Sequence, residues 1–531
     1  MKKLVCFLLA AVMVLTMTTS VFAATVTNGT GHSYDAYQIF KGTQADDDMT
    51  LGDVAWGAGI KGDEFLAALK ADTRFGEGDA NIFNECTDAM AVAKVLGTYG
   101  DKSAQARDFA DVADQYLTDE KTAIAKDAAE VTLEAGYYLL VDTETIADDA
   151  NDARNSALLQ VTNKGSVEMQ KKYSLPVPGK YISEVTREYG GEKTTVFTDS
   201  AAAVDAAIGD EIQFTLTGTL PENYDDYETY FYAFHDKLST GLEYVPNSAK
   251  VYISGASDTD ITTNFTISTT VDGKGNNLNI TIDNLKSVTG VSAASNIKVV
   301  YSAKLTEGAV IGSAGNPNDM YIEYSNNPNH DGEGKTGNTE KDTAVVFTYE
   351  LDVNKVDGTS SDKLKDAEFV LFNEEKNAVA KVENGVLTGW DSVAEGQQLP
   401  DAATLTSDED GKFIIKGLDS GTYYLKETKA PAGYNLLTED VKLVITATIS
   451  PEAGTVGEAS LDALKIKIDT QAEKDGDKEN GIVSADIANN KGTVLPETGG
   501  MGTTIFYAIG AVLVLGAGVL LVAKKRMDRT A

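Results

Sequence analysis

Cysteine and histidine are almost missing from this 531-residue chain, which has two Cys and three His. A disulfide framework needs more of the first, and a His-based metal site or catalytic triad needs more of the second. His32, His235 and His330 lie far apart in sequence, and none sits in a nucleophile or metal motif. Basic residues are scarce as well: 45 Lys and Arg stand against 81 Asp and Glu, a formal charge of −36. That argues against nucleic acid as a partner, because phosphate binding needs a cationic surface. No phosphate-cradling glycine loop stands at a strand-to-helix junction, and Gly334-Lys335-Thr336-Gly337 lacks the preceding glycine and apolar frame of a P-loop. The expectation is no metal, no cofactor and no enzyme acting on an external substrate. What is present is 42% hydrophobic and 8% aromatic material. This is enough for about three domains at roughly 100–200 residues each, so the acidity belongs to a folded surface and not to a disordered polyanion.

Long apolar runs are confined to the ends. Lys2 and Lys3 precede the run from Leu4 to Leu15, and Val21-Phe22-Ala23 is small at the positions signal peptidase reads, so residues 1–23 read as an export signal cut after Ala23. Cys6 leaves with it, and the exported chain keeps Cys86 alone, too few for an internal disulfide. Near the other end, Leu495-Pro496-Glu497-Thr498-Gly499 is followed by the uncharged run Ile505 to Ala523 and by Lys524-Lys525-Arg526. The run is long enough to cross a bilayer of ~30 Å, and the basic cluster should stay in the cytoplasm. This arrangement, over residues 495–531, resembles the cell-wall sorting signal of Gram-positive surface proteins. The resemblance implies that a membrane transpeptidase, sortase, cleaves between Thr498 and Gly499 and passes the Thr498 carbonyl to an amine. The mature chain would then run from Ala24 to Thr498, secreted and linked covalently to the peptidoglycan. Losing Lys2, Lys3, Lys524, Lys525, Arg526, Arg529 and Asp528 takes the charge from −36 to −41.

Three regions lie between the ends. Residues 24–172 mix short strands such as Tyr37–Phe40 and Tyr137–Val141 with helical spacing at Phe109, Val112, Tyr116 and Leu117 and a helix-prone stretch from Cys86 to Leu96. Residues 173–347 are almost purely β, with alternation in Glu211–Thr217, Asn277–Ile282 and Tyr321–Tyr324 and frequent turns, the texture of a sandwich. The polar stretch Asn326 to Lys341 reads as a loop or linker. A third β region fills residues 348–493.

In Leu351-Asp352-Val353-Asn354-Lys355, the lysine shares a strand face with Leu351 and Val353, the face a sandwich buries. A lysine there is costly unless it is neutralised or paired. Downstream, Gly421-Thr422-Tyr423-Tyr424-Leu425-Lys426-Glu427-Thr428-Lys429-Ala430-Pro431-Ala432-Gly433-Tyr434 resembles the E-box of pilin subunits and collagen-adhesin B-type domains, which implies that Glu427 is a buried acid. Ile487-Ala488-Asn489-Asn490-Lys491-Gly492 resembles that family's closing Asn. In the middle region, Leu175 to Ile182, Phe234 to Tyr244 and Asn318 to Tyr324 resemble the corresponding strands of A-type domains, with Lys180, Asp236 and Asn318 in the three roles. Asn316, Asn326 and Asn327 are alternative acceptors. In such domains the Lys and Asn side chains join in a spontaneous isopeptide bond. Desolvation lowers the lysine pKa, making the amine nucleophilic, and raises the acid's, so that it can donate to the Asn amide oxygen. Each bond would remove roughly 5 kcal/mol of unfolded-state entropy by the loop-closure model. In the N-terminal region, Gly136-Tyr137-Tyr138-Leu139-Leu140-Val141 has the same frame with Val141 at the acid position, so no bond is expected there and Lys41 reads as an ordinary strand-end lysine.

The resemblance therefore spans nearly the whole chain and is to the major subunits of sortase-assembled Gram-positive pili. It implies an all-β protein of tandem immunoglobulin-like β-sandwich domains in series, the N-terminal one with helical insertions. It also implies sortases, further copies of the same chain, accessory pilins and peptidoglycan as partners. In that family the sorting Thr joins a lysine near the first domain boundary of the next subunit, within Tyr-Pro-Lys-Asn. This sequence has Met169-Gln170-Lys171-Lys172-Tyr173-Ser174-Leu175-Pro176 there instead, so Lys172 is the first choice, Lys171 the second, and Lys180 a third. The alternative is a wall-anchored monomeric adhesin or an accessory tip or basal pilin that binds a host or matrix ligand.

Overall fold

The structure, a computed structural model, describes residues 23–44, 50–100, 103–126, 128, 130–161, 166–272, 275–329, 332, 334–394, 397, 399–400, 403–451, 458–492 and 501–527. Among them the strands form five sheets. Two small sheets draw their strands from Ala23 to Met169, two larger ones from Pro178 to Phe347, and one 11-stranded sheet from Tyr349 to Asn489.

The N-terminal part is the mixed one. The strand Tyr34–Gln44 lies between Leu51–Trp56 and Gly136–Asp142, and the helices Gly62–Ala71, Ala89–Leu96 and Ala104–Asp114 pack Phe65, Val92 and Phe109 into its core. Two helix starts are set by side-chain caps. Asp88 accepts from the Ala91 amide at 2.8 Å and Ser103 from the Ala106 amide at 3.2 Å, each satisfying an otherwise free first-turn N–H. The Asp88 cap places the helix start after Cys86, which sits buried in the preceding turn. The apolar spacing through Tyr116 and Leu117 is not one helix: it ends at Asp114, and Leu117 turns back to pair with Ile60. Lys41 stands inside its strand, opposite Ala55 and Gly136, and not at its end.

In the middle part, alternation sets the layers. Ile297, Val299, Tyr301, Ala303 and Leu305 of the strand Asn296–Leu305 all point inward, and they meet Ile212, Phe214 and Leu216 of the neighbouring strand Glu211–Thr219 in one core. The second sheet closes over that core with Phe234, Ile280, Met320 and Ile322. The polar stretch after Ser325 is a loop of this part and not a linker to the next. Thr336–Asn338 pairs back onto the strand Asn316–Ser325, and Asp342–Phe347 rejoins the same sheet. The loop also meets the N-terminal part, where the Arg154 amide donates to the Asn326 carbonyl at 2.7 Å and the Asn338 amide to the Ala150 carbonyl at 3.1 Å. His330 lies outside the described residues.

In the C-terminal part the first strand, Tyr349–Asp357, runs parallel to the last, Ile482–Asn489. The sheet wraps around a main core that also takes in Ala203, Ala207 and Phe347 from the middle part, and Val370, Phe372, Val379, Val393 and Ala403 form a smaller second cluster. The two parts are joined further by Ile208 N donating to the Gly417 carbonyl at 2.9 Å, by the edge-on Tyr189 and Trp390 rings, and by the ion pair of Arg187 with Asp419. The helix Met501–Met527 contains a 23-residue stretch long and apolar enough to span a membrane.

A buried polar knot closes the N-terminal part. His32 places Nδ1 2.7 Å from Asp142 and Nε2 2.8 Å from Asp152, and the Tyr173 hydroxyl reaches both His32 and Asp152. Both ring nitrogens thus face carboxylates. The Asp142 hydrogen bond, outweighing burial, raises the His32 pKa above its ordinary 6.5. A raised folded-state pKa means that the imidazolium's stabilisation is complete below about pH 6.5 and is lost as pH rises through the folded value. Domain-resolved hydrogen exchange on the Ala24–Thr498 chain should therefore show protection of Tyr34–Gln44 and Gly136–Asp142 declining above pH 6.5. His32→Ala, which removes the imidazole shared by the two carboxylates and leaves Asp142 buried without it, should cost about 3 kcal/mol in the same strands.

Candidate functional site

Each of the two β parts carries one buried lysine centre. In the C-terminal part, the parallel register sets Lys355 opposite Ile487, and Asp357 opposite Asn489. Lys355 and Asn489 therefore share one face, displaced by two residues along adjacent strands. Glu427 reaches them from Gly421–Lys429, a strand on the other side of the core. All three side chains are buried. Lys355 Nζ donates to the Ile487 carbonyl at 2.9 Å. Burial, against the attraction of Glu427, pulls the Lys355 pKa down to about 8. Asn489 Nδ2 donates to both Glu427 oxygens, at 3.0 and 2.9 Å, and to the Asn435 carbonyl at 2.8 Å. Glu427 Oε2 also accepts from the Leu437 amide. The expectation from sequence was an acid meeting the Asn amide oxygen. Here the acid meets the amide nitrogen, and Asn489 Oδ1 is buried without a hydrogen-bond partner.

The middle centre has another wiring. Lys180 comes from the strand Pro178–Tyr189 of one sheet, while Asp236 and Asn318 come from two paired strands of the other. The register Asp236↔Met320 and Leu238↔Asn318 puts the acid and the amide diagonally on one face. Lys180 Nζ donates to Asp236 Oδ2 at 2.5 Å, with both side chains fully enclosed. Burial lowers the lysine pKa and raises that of the acid, each against the pull of its partner. No hydrogen bond links Asp236 directly to Asn318. Between them stands Tyr301, whose hydroxyl donates to Asp236 Oδ1 at 3.0 Å and accepts from Asn318 Nδ2 at 2.6 Å. Asn318 Oδ1, too, is buried and unpartnered. Sequence reasoning passed over Tyr301; the available signal was a tyrosine on the inward face of an alternating strand, where a hydroxyl needs a partner. Of the other asparagines, Asn316 holds the Val310 and Val346 backbone, and Asn326 and Asn327 lie in the loop beyond the strand.

In the N-terminal part, Val141 of the similar frame is half-buried opposite Asp35, and the next residue, Asp142, serves His32. Lys172 is exposed, as is Lys171, whose Nζ lies 4.1 Å over the Tyr173 ring and 3.7 Å from Asp152. Thr498 and Gly499 lie outside the described residues. Among the described residues no cluster of His, Cys, Asp and Glu is arranged to hold a metal.

Residues 349–457 match the SpaA prealbumin-like fold domain and residues 487–529 the LPXTG cell wall anchor motif. The chain is 25% identical over 395 residues to the trypsin-resistant surface T6 protein of Streptococcus pyogenes, covering 63% of this chain and 68% of that one. It is 26% identical over 345 residues to fimbrial subunit type 2 of Actinomyces naeslundii, covering 60% of this chain and 58% of that one. The solved T6 backbone pilin of serotype M6 Streptococcus pyogenes, described as a modular three-domain structure, shares the fold with a TM-score of 0.51 at 17% identity, over 90% of this chain and all of that one.

The depressed Lys355 pKa has a measurable consequence wherever the amine stays free. In an Asn489→Ala chain the unfolded state binds the proton more readily than the folded state, so stability should rise with pH between about 8 and about 10.5. The gain should total about 3 kcal/mol for a shift of this size. Denaturant unfolding of the C-terminal part at the two pH limits should show this rise, and adding Lys355→Met should abolish it.

Proposed function

We propose that this chain, a homologue of Gram-positive backbone pilins with an LPXTG wall anchor, is the repeating subunit of a covalent pilus shaft whose middle and C-terminal domains each close on a Lys–Asn amide bond. It is a secreted, wall-anchored extracellular protein, and its homologues are structural subunits. The observation that carries the reading is the enclosure of a lysine, an acid and an asparagine at the junction of first and last strands in the C-terminal part, matched by a second such set in the middle part. In each, Nζ attacks the Asn Cγ, the Cγ–Nδ2 bond breaks and ammonia leaves, once per molecule. The domains follow the three regions 24–172, 173–347 and 348–493.

Polymerisation by sortase joins Thr498 of one subunit to an exposed lysine of the next. Lys172 is the preferred acceptor because its amine is exposed beside the junction of the first two domains. Lys171 is second, its amine being drawn against Tyr173 and Asp152. The burial of Lys180 against Asp236 supports a role inside its domain and not between subunits. Accessory pilins and peptidoglycan complete the partners.

The intact mass of the recombinant Ala24–Thr498 chain should fall short of its sequence mass by two ammonia molecules, and that of Glu427→Ala by one. A Glu427→Ala chain with the full deficit would remove Glu427 from the reaction. Wall extracts should give a ladder of SDS-resistant species that collapses in Lys172→Arg and persists in Lys171→Arg. A single wall-linked band from the parent strain would instead identify a monomeric adhesin or an accessory pilin.

A further inference from the structure

The two lysine centres solve one geometric problem with different parts. In the C-terminal domain, Glu427 places both carboxylate oxygens on Asn489 Nδ2, with nothing between them. In the middle domain the acid is an aspartate, one methylene shorter. Its Oδ2 is taken by Lys180 and its Oδ1 by the Tyr301 hydroxyl, and it is that hydroxyl which touches Asn318 Nδ2, at 2.6 Å. We propose that Tyr301 is a catalytic residue of the middle domain, the group that hands a proton to Asn318 Nδ2 as ammonia departs. This rests on the reading that Lys180 and Asn318 become bonded.

Tyr301 is held for such a role. Its ring is fully buried and stacked on Phe214 at 5.5 Å between centroids, with Tyr244 on its flank at 6.0 Å. Lys180 Nζ lies 5.3 Å from the Phe214 centroid and 5.9 Å from that of Tyr301, so amine, acid, hydroxyl and amide form one enclosed chain. In the resting amide the Nδ2 lone pair is delocalised, and the nitrogen donates to the hydroxyl oxygen. When Nζ adds to Cγ the carbon becomes tetrahedral and Nδ2 recovers its lone pair. The hydrogen bond then reverses, with the Tyr301 O–H donating to Nδ2. Of the three hydrogens that leave with ammonia, two belong to the amide, and the third comes in sum from Lys180 Nζ by way of Asp236 and Tyr301. The carboxyl and the hydroxyl end as they began. Asp236 with Tyr301 thus covers the distance that Glu427 covers alone.

The test is cell-free synthesis of the Ala24–Thr498 chain, sampled over time, with the bonded Lys180 and Asn318 peptides and the bonded Lys355 and Asn489 peptides quantified by mass spectrometry. Tyr301→Phe should slow the first bond on the order of a hundredfold, the contribution of a positioned general acid, and leave the second at the parent rate. Combining Tyr301→Phe with Asp236→Glu should restore roughly tenfold or more of the loss, because the longer acid reaches the amide nitrogen directly. Should Tyr301→Phe leave the middle domain unfolded, 3,5-difluorotyrosine at position 301 keeps the size and reach of the hydroxyl while making its proton more acidic, and it should move the pH–rate profile of the first bond alone. Bonding of Tyr301→Phe at the parent rate, or an unmoved profile with difluorotyrosine, overturns the assignment. A parent chain that yields no bonded Lys180 and Asn318 peptides shows instead that the underlying bond is absent, and the relay falls with it.

Discussion

An amine enclosed between β-sheets is the constraint on which the middle and C-terminal domains depend. A lysine costs several kcal/mol to bury as a charge, so the fold tolerates Lys180 and Lys355 only where a partner or the loss of a proton compensates. The two domains compensate differently. Lys180 has a carboxylate at 2.5 Å, while Lys355 hydrogen-bonds a backbone carbonyl, feels Glu427 without a direct hydrogen bond to it, and has a pKa drawn down to about 8. The same desolvation that makes these sites expensive makes the amines nucleophilic, so the cost to the unreacted fold and the chemistry share one cause. An exported chain with one buried, unpaired cysteine has in these amines the means to a crosslink that reductants do not open.

The junction of the middle and C-terminal domains follows a related logic. Arg187 lies between Asp210 and Asp419. Nearby, Asp205 accepts from the Ser420 amide, and burial, with Asp419 adding to it, raises the Asp205 pKa to about 6. Three carboxylates around one guanidinium leave this junction short of positive charge, consistent with the composition of the chain. Besides the Arg187 ion pair, it is held by backbone hydrogen bonds and by apolar residues of the middle domain that enter the C-terminal core.

The β character, the helical insertions and the location of Lys355 were legible because each leaves a local mark: alternation, 3.6-residue spacing, or a lysine on an apolar face. Glu427 and Asn489 carry no such mark and were legible only through the resemblance of their segments to the E-box and closing Asn of pilin domains. Helix limits were less so, since Asp88 decides the start near Cys86 by a side-chain hydrogen bond that spacing does not encode. The His32, Asp142, Asp152 and Tyr173 knot was invisible for another reason. Its members are 110 to 141 residues from His32 or scattered over loops, and each is unremarkable in its own segment. Tyr301 escaped likewise, because a tyrosine among inward Val, Ala and Leu reads as core until its hydroxyl partners are seen. The polar stretch after Ser325 has no apolar period that would betray the short strand Thr336–Asn338 within it, and only the returning strand Asp342–Phe347 shows that it ends inside the same domain.

The parallel pairing of Tyr349–Asp357 with Ile482–Asn489 has one more consequence. Roughly 130 residues lie between Lys355 and Asn489, a contour length of roughly 430 Å at about 3.3 Å per residue. Once those two side chains are joined, none of that length can be drawn out by pulling on the ends. On that reading the C-terminal domain would behave as an inextensible link, and any give in a fibre of such subunits would have to come from outside it, including the stretch after Asn318 that the middle domain's own bond would leave unspanned.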